Sequence, residues 1–512
     1  MRKSLVILAI ALLSASASAE SQQSIIDFEI VDTTAYLKKF HENPKEMMNT
    51  PPIKWDQSGR IVPKNFSAFG PKTADPTEIA RARSEIREII CRAAGKSCDR
   101  LSQYGFYAGF DRDNEIDEFF FDNSGYIRTL REMEAKGLKR GQLKRAPWSD
   151  SYWPMQMGMI ARRWLDEEAP QSRLFMEHYQ YYEKNPSKKV PKDKLSPAEK
   201  YDLLVGDSSF TLTDWNWQQG KNTWDTRGIV PAWAGICHGW ASAAIMTRAP
   251  KRSVTVKGYD GKPILFYPSD IKALLSAVWA NSPPKSYVVG NRCNIARPAE
   301  DEMGRVIDPG CFDVNPGTWH IAIVNQIGVK KKSFVIDAQY DEQIWNYPLY
   351  SYKYSYFNPQ TLEVSDSLVR SMVNVKDFTI DKFKRYRSRE AKYVVGIAME
   401  ISYSIASAPS TEPYQLPLLH AVKMVYDLEL DSVGRIIGGE WYSNFHPDFI
   451  WHFDPEKRPL SSVEKEAGGS LKWDGRGPLT KEIRDAALKA SKEGQPLAAV
   501  VEAIYKLSQE AE

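Results

Sequence analysis

Apolar and polar positions alternate at strand spacing over Tyr393–Ile405, Ala421–Leu430 and Arg435–Trp441, and Asp431 to Gly434 form a hairpin turn between the last two. Ser253–Lys257 and Pro263–Tyr267 flank a Gly/Asp turn and predict a second hairpin. A third is expected where Thr318–Gly328 alternates small or β-branched residues, Lys330–Lys332 turns, and Ser333–Tyr340 returns. Helical patterns fall at Pro76–Ala93, from Ser196 through Leu204, and over Asp270–Ala280 behind Ser269. Ser196 and Glu199 have capping-box spacing, with Pro197 at the first helical position. Thr213–Gly228 reads as a Trp-rich loop and Glu456–Leu479 as a polar, Gly-rich linker. Thr480–Glu493 and Leu497–Gln509 read as two exposed helices separated by Gly494 and Pro496.

The first residues add an address. Arg2 and Lys3 precede the apolar run Leu5–Leu13 and an Ala17-Ser18-Ala19 site, the pattern of a secretory signal peptide cut after Ala19. That run is too short to span a bilayer, so export to a periplasm or the medium is expected, with no membrane span. A formal charge of +3 on 512 residues gives no reason to expect nucleic acid or acidic membrane as partner.

Compartment changes the reading of the cysteines. Five are present, and pairing the sequence neighbours Cys91 with Cys98 and Cys293 with Cys311 leaves Cys237 alone. In "GICHGWASAAIM" (Gly235–Met246) that cysteine stands where a helix begins, and the unpaired N–H groups and positive dipole end there favour a thiolate. A buried structural thiol is the plain alternative. His238 points about 100° away on the helix and reads as a packing or capping residue. His320 on the third hairpin and Asp337 on its returning strand face each other if they share a side of the sheet, which completes a nucleophile–base–orienter set. Asp341 and Glu342 are the next orienters. Trp233 and Trp224 are oxyanion candidates through their indole N–H groups, beside the Cys237 backbone N–H. In "DRDNEIDEFFFDN" (Asp111–Asn123) oxygen ligands alternate, but Ile116 and Asp122 stand where an EF-hand needs Gly and Glu. The thiol chemistry needs no cofactor; calcium is the one metal considered.

The order Cys237, His320, Asp337 is the order of transglutaminases, with His320 83 residues beyond the cysteine, short of the papain-type gap. The segments "SPAEKYDLLVG" (196–206), "GICHGWASA" (235–243), "NPGTWHIAIVNQIG" (315–328), "VIDAQYDEQIWNYPL" (335–349) and "IIGGEWYSNFHPDFIW" (436–451) resemble the transglutaminase elicitor family. The resemblance implies an α+β, papain-like transglutaminase core at 136–455, its nucleophile helix packed on an antiparallel sheet that carries His320 and Asp337. Around it would lie a signal peptide (1–19), an N-terminal mixed segment (20–135), a linker (456–479) and a helical C-terminal tail (480–512). It implies a secreted acyltransferase joining protein glutamine to lysine or other primary amines through a Cys237 thioester. In that family the stretch matching Ile344–Pro348 belongs to a surface peptide recognised by plants. Tyr347 replaces its usual Gln, and Tyr350-Ser351 a basic-Gly pair, which weakens the elicitor reading and leaves the enzyme reading untouched. Gly438-Gly439 and the His446-Pro447 turn read as structural, with a catalytic or metal role for His446 as the alternative. The rival readings are a cysteine hydrolase (deamidase or peptidase) with the same triad, and a non-catalytic secreted wall-binding or recognition protein.

Overall fold

A computed structural model of the protein describes residues 32–50, 125–290, 298–307, 311, 313–338 and 343–510, and the backbone of 24–26, 54–55 and 61–62. The signal peptide, the Pro76–Ala93 helix, the Asp111–Asn123 run, Cys91, Cys98, Cys293, Asp341 and Glu342 lie outside them.

The fold is α+β, a curled, largely antiparallel sheet with helices packed against it. Its strands are β1 (Ser24–Ile26), β2 (Arg140–Gln142), β3 (Ser286–Gly290), β4 (Val335–Asp337), β5 (Asn346–Phe357), β6 (Tyr393–Ser404), β7 (Leu418–Leu430), β8 (Ile436–Gly438) and β9 (Phe449–Phe453). They run in the order β1-β7-β6-β5-β4-β9-β3, with β2 paired to β5 and β8 to β7. The late β9 therefore inserts between β3 and β4. The expected hairpin forms as Val254–Lys257 with Pro263–Phe266.

The helices used below are α1 (Pro197–Val205), α2 (Thr211–Arg227), α3 (Cys237–Met246), α4 (Pro268–Asn281), α5 (Pro316–Ile323), α6 (Lys481–Ser491) and α7 (Ala498–Gln509). The capping box of α1 is present: Glu199 N donates to Ser196 Oγ, and Ser196 N to Glu199 Oε2. α4 is capped at Tyr267, two residues before the serine expected to cap it, and Asp270 Oδ2 accepts from Tyr267 N. Charges buried between these elements are paired, as their desolvation requires: Arg163 with Glu199, and Lys200 with Asp270 at 2.5 Å.

Three elements differ from expectation. The Trp-rich run is helix α2, whose first amides donate to the buried Asp202 carboxylate and which ends at Gly228 with φ 71°. The stretch holding His320 is a helix continuing as a π-helical turn over Val324–Lys330, so the sheet carries Asp337 but not His320. Asn315 caps it by accepting from Gly317 N, and Pro316 sits at its first position. Every residue of α5 is buried, so its sequence lacks the polar stripe by which a surface helix is recognised. Finally, α6 and α7 are packed rather than exposed. Ile483, Ala487, Val500, Val501 and Ile504 join one core with α1, α3 and α4, and Glu464 accepts from Ala498 N and Ala499 N at the head of α7.

Among the described residues, no helix is long and apolar enough to cross a membrane.

Candidate active site

Two glycines place Cys237. A Cβ on Gly235 would lie 2.8 Å from Tyr152 O, and one on Gly239 only 2.2 Å from Ser276 O on α4. The chain before the cysteine is thus pressed against Tyr152–Met155, where Ile236 N donates to Tyr152 O and Met155 N to Ala234 O. The first turn of α3 is pressed equally closely on α4. This seats Cys237 at the helix N-terminus, as its sequence context predicts, but buried, at 4% exposure.

Its sulfur meets β5 and the residue pair before it. Asn346 Nδ2 donates to Sγ at 3.5 Å, and the thiol donates to Ile344 O at 3.8 Å. The amide is oriented by its other end, because Trp451 Nε1 on β9 donates to Asn346 Oδ1 at 2.8 Å. Asp337 pairs in register with Asn346 across β4 and β5, and its Oδ1 accepts from Trp345 N at 2.9 Å. Burial pushes the thiol up from its usual range, and the negative charge of Asp337 adds to this; bonds from Asn346 and the helix N-terminus act the other way.

Asp313 lies within electrostatic reach of Asp337, and burial together with that charge holds it well above the usual carboxylate range. Its Oδ2 is 3.8 Å from His446 Nε2. The His446 ring stacks on Trp441, with centroids 4.5 Å apart and planes at 13°, and burial lowers its pKa to about 4.

The structure brings Cys237 and Asp337 together and gives His320 different neighbours. His320 Nδ1 is 2.8 Å from the Tyr426 hydroxyl, and its ring lies 4.8 Å from that of Tyr354. Tyr354 and Asn346 stand eight residues apart on β5, roughly 26 Å of extended strand at ~3.3 Å per residue. Full burial lowers the His320 pKa to about 3. Of the indole candidates, Trp224 lies on α2 against Phe175, and Trp233 occupies the half-buried turn before Gly235. His238 is the expected packing residue: its pKa falls to about 4 through burial, opposed by a bond at Ala280. Asn346, Trp451 and Asp313 were missed. Their only sequence signal was that the first two lie in family-like segments far apart in the chain.

Cys237 is the free cysteine among the described residues. Cys311 is disulfide-bonded.

The family described as "Transglutaminase elicitor" matches residues 118–472, more than half the chain. No curated protein matches. The crystal structure of the GP42 transglutaminase from Phytophthora sojae is similar at 22% sequence identity and a TM-score of 0.47, over 72% of this chain and 94% of that one.

Proposed function

Since the chain belongs to the transglutaminase elicitor family, we propose that it is an exported protein-glutamine acyltransferase with Cys237 as nucleophile and Asp337 as a charged partner in its site. The observation that carries this reading is a cysteine at a helix start, free among the described residues, held by Asn346 and lying in the field of Asp337. The sulfur attacks the γ-carboxamide carbon of a protein glutamine. A C–S bond forms, the C–N bond breaks, and ammonia leaves with the proton given up by the thiol. A primary amine, such as a lysine side chain, then attacks the thioester; its proton goes to the site base, the C–S bond breaks, and an isopeptide bond remains. The Asn346 amide and the N–H groups opening α3 are the donors available to the tetrahedral oxyanion.

Aromatic rings pack beside the thiol: Tyr152 lies edge-on against Trp345 at 5.0 Å, and Trp345 stacks with Tyr347. Aromatic surroundings of this kind disfavour water as the second acceptor and favour the amine over hydrolysis. The pairings Cys91–Cys98 and Cys293–Cys311 belong to this reading, since they leave the nucleophile reduced after export; peptide mapping without reduction should recover both as linked fragments. The function is tested by incorporation of a labelled primary amine into a glutamine-containing protein, with released ammonia counted in parallel. Incorporation should be lost in Cys237→Ala. Ammonia release without incorporation would make the protein a hydrolase, and activity surviving in Cys237→Ala would remove Cys237 from the chemistry.

A further inference from the structure

Proton transfer at Cys237 needs a group that can take the thiol proton and return it to the departing ammonia. His320 is occupied with Tyr426 and lies along β5 from the sulfur, and His238 points off the adjacent position of α3. Acting on the reading of Cys237 as nucleophile, we propose that Asp313 and His446 complete its acid–base system, with Asp337 as the link between them and the sulfur.

The placement follows from the topology. β9 pairs with β4, Ile450 opposite Ile336, so the loop entering β9 passes the end of β4 where Asp337 stands. His446 lies in that loop. Asp313 comes from a different segment, just ahead of α5, and is tied to the same place because Val314 N donates to Asp448 O at 3.0 Å. Trp441 locks the pair in register: its indole donates to Val314 O at 2.9 Å, beside Asp313, while its ring face carries His446. A ring fixed in plane with one nitrogen toward a carboxylate is the arrangement that orients a general base.

The carboxylate itself is unusual. Asp313 Oδ1 is buried with no hydrogen-bond partner among the described residues, and its Oδ2 has His446 at 3.8 Å. A buried carboxylate in this position is costly unless a proton or a cation joins it. Burial and the neighbouring Asp337 charge both raise the Asp313 pKa, so Asp313 takes up a proton more readily than an ordinary carboxylate. His446, neutral at rest, becomes the cation that balances the pair when the thiol ionises. The proton thus leaves Sγ as the C–S bond forms and resides on the Asp313–His446 pair. It returns to nitrogen as the C–N bond breaks, and no other reactant is consumed. In the resting state the thiol points at Ile344 O; the relay engages when a bound acyl donor displaces that contact, as catalytic hydrogen bonds commonly tighten on binding.

The test compares two acyl donors. A glutamine carboxamide needs its leaving nitrogen protonated, whereas a p-nitrophenyl ester does not. In His446→Gln, carboxamide turnover should fall about 10²–10⁴-fold, the usual contribution of general acid–base catalysis, while acylation by the ester falls no more than tenfold. Asp313→Asn should show the same split, which guards against loss of folding in either variant; His320→Gln should show none. An equal fall with both donors would mean that the residues merely position Cys237, and unchanged carboxamide turnover in both variants would remove them from the chemistry; either result overturns the proposal. If the wild-type protein accepts the ester but releases no ammonia from glutamine, the acyltransferase reading fails by itself. The relay is then judged on transfer of the ester-derived acyl group from Cys237 to a primary amine, whose attack needs the same base; transfer should slow about 10²–10⁴-fold in His446→Gln, and equal rates would overturn it.

Discussion

Replacing Asn346 with alanine removes one side chain and breaks two bonds whose consequences can be measured separately. The first runs from Nδ2 to the sulfur at 3.5 Å. A hydrogen bond to a charged acceptor contributes about 1.5–3 kcal/mol. At ~1.36 kcal/mol per pKa unit its loss raises the Cys237 pKa by roughly one to two units. Because the thiolate is the reactive form, alkylation at pH 7 should slow about 10- to 100-fold. The second bond is accepted from Trp451 Nε1 at 2.8 Å. Its loss orphans a buried indole N–H and should cost about 1–3 kcal/mol of stability. Trp451→Phe separates the two effects: it deletes the indole donor but leaves the amide near the sulfur, so alkylation should stay within about threefold of wild type. The assay is the second-order rate of iodoacetamide labelling between pH 6 and 9, with Cys237→Ala as blank and urea unfolding on the same preparations. An Asn346→Ala protein whose thiol titrates as in the wild type would refute the claim that this amide supports the thiolate.

Gly239→Ala should destabilise the fold by at least the 1–3 kcal/mol typical of overpacking, because its Cβ would meet backbone of α4 at 2.2 Å; urea midpoints check this. His320 gives a pH signature. Burial holds its pKa at about 3 in the folded state, whereas the unfolded chain takes up that proton near pH 6.5. Stability is therefore unaffected by this group above about pH 6.5 and is lost as pH falls below it, by about 2 kcal/mol at pH 5. His320→Gln should shrink the stability difference between pH 7 and pH 5 by that amount, and an unchanged difference would show that His320 titrates normally. Ending the chain after Leu479 removes α6 and α7 and uncovers the core they share with α1, α3 and α4. The apolar burial lost is on the order of 10 kcal/mol, comparable to the whole stability of a domain; the product should aggregate, and a monomeric, cooperatively melting product would show that the two helices are dispensable.

Local signals settled much of this molecule before any long-range contact was known. Ser196-Pro197 with Glu199 starts a helix because the cap, the ring and the carboxylate act within one turn. The strands expected from alternation at Tyr393–Ile405 and Ala421–Leu430 form at Tyr393–Ser404 and Leu418–Leu430. Cys237 stands at a helix start through its neighbours alone, and it is the free cysteine among the described residues. Periodicity fails where burial is complete. Thr318–Gly328 has the alternation of a strand and is helical because both faces are covered, so no polar stripe records its period. Likewise α6 and α7 are legible as amphipathic helices, but the surface that covers their apolar faces comes from residues some 200 to 300 positions earlier. The site shows the same division. Asn346, Trp451, Asp313 and His446 meet near Asp337 because β9 enters the sheet beside β4, out of chain order. Proximity of that kind is a property of strand pairing and packed volume, and no residue spacing along the chain encodes it.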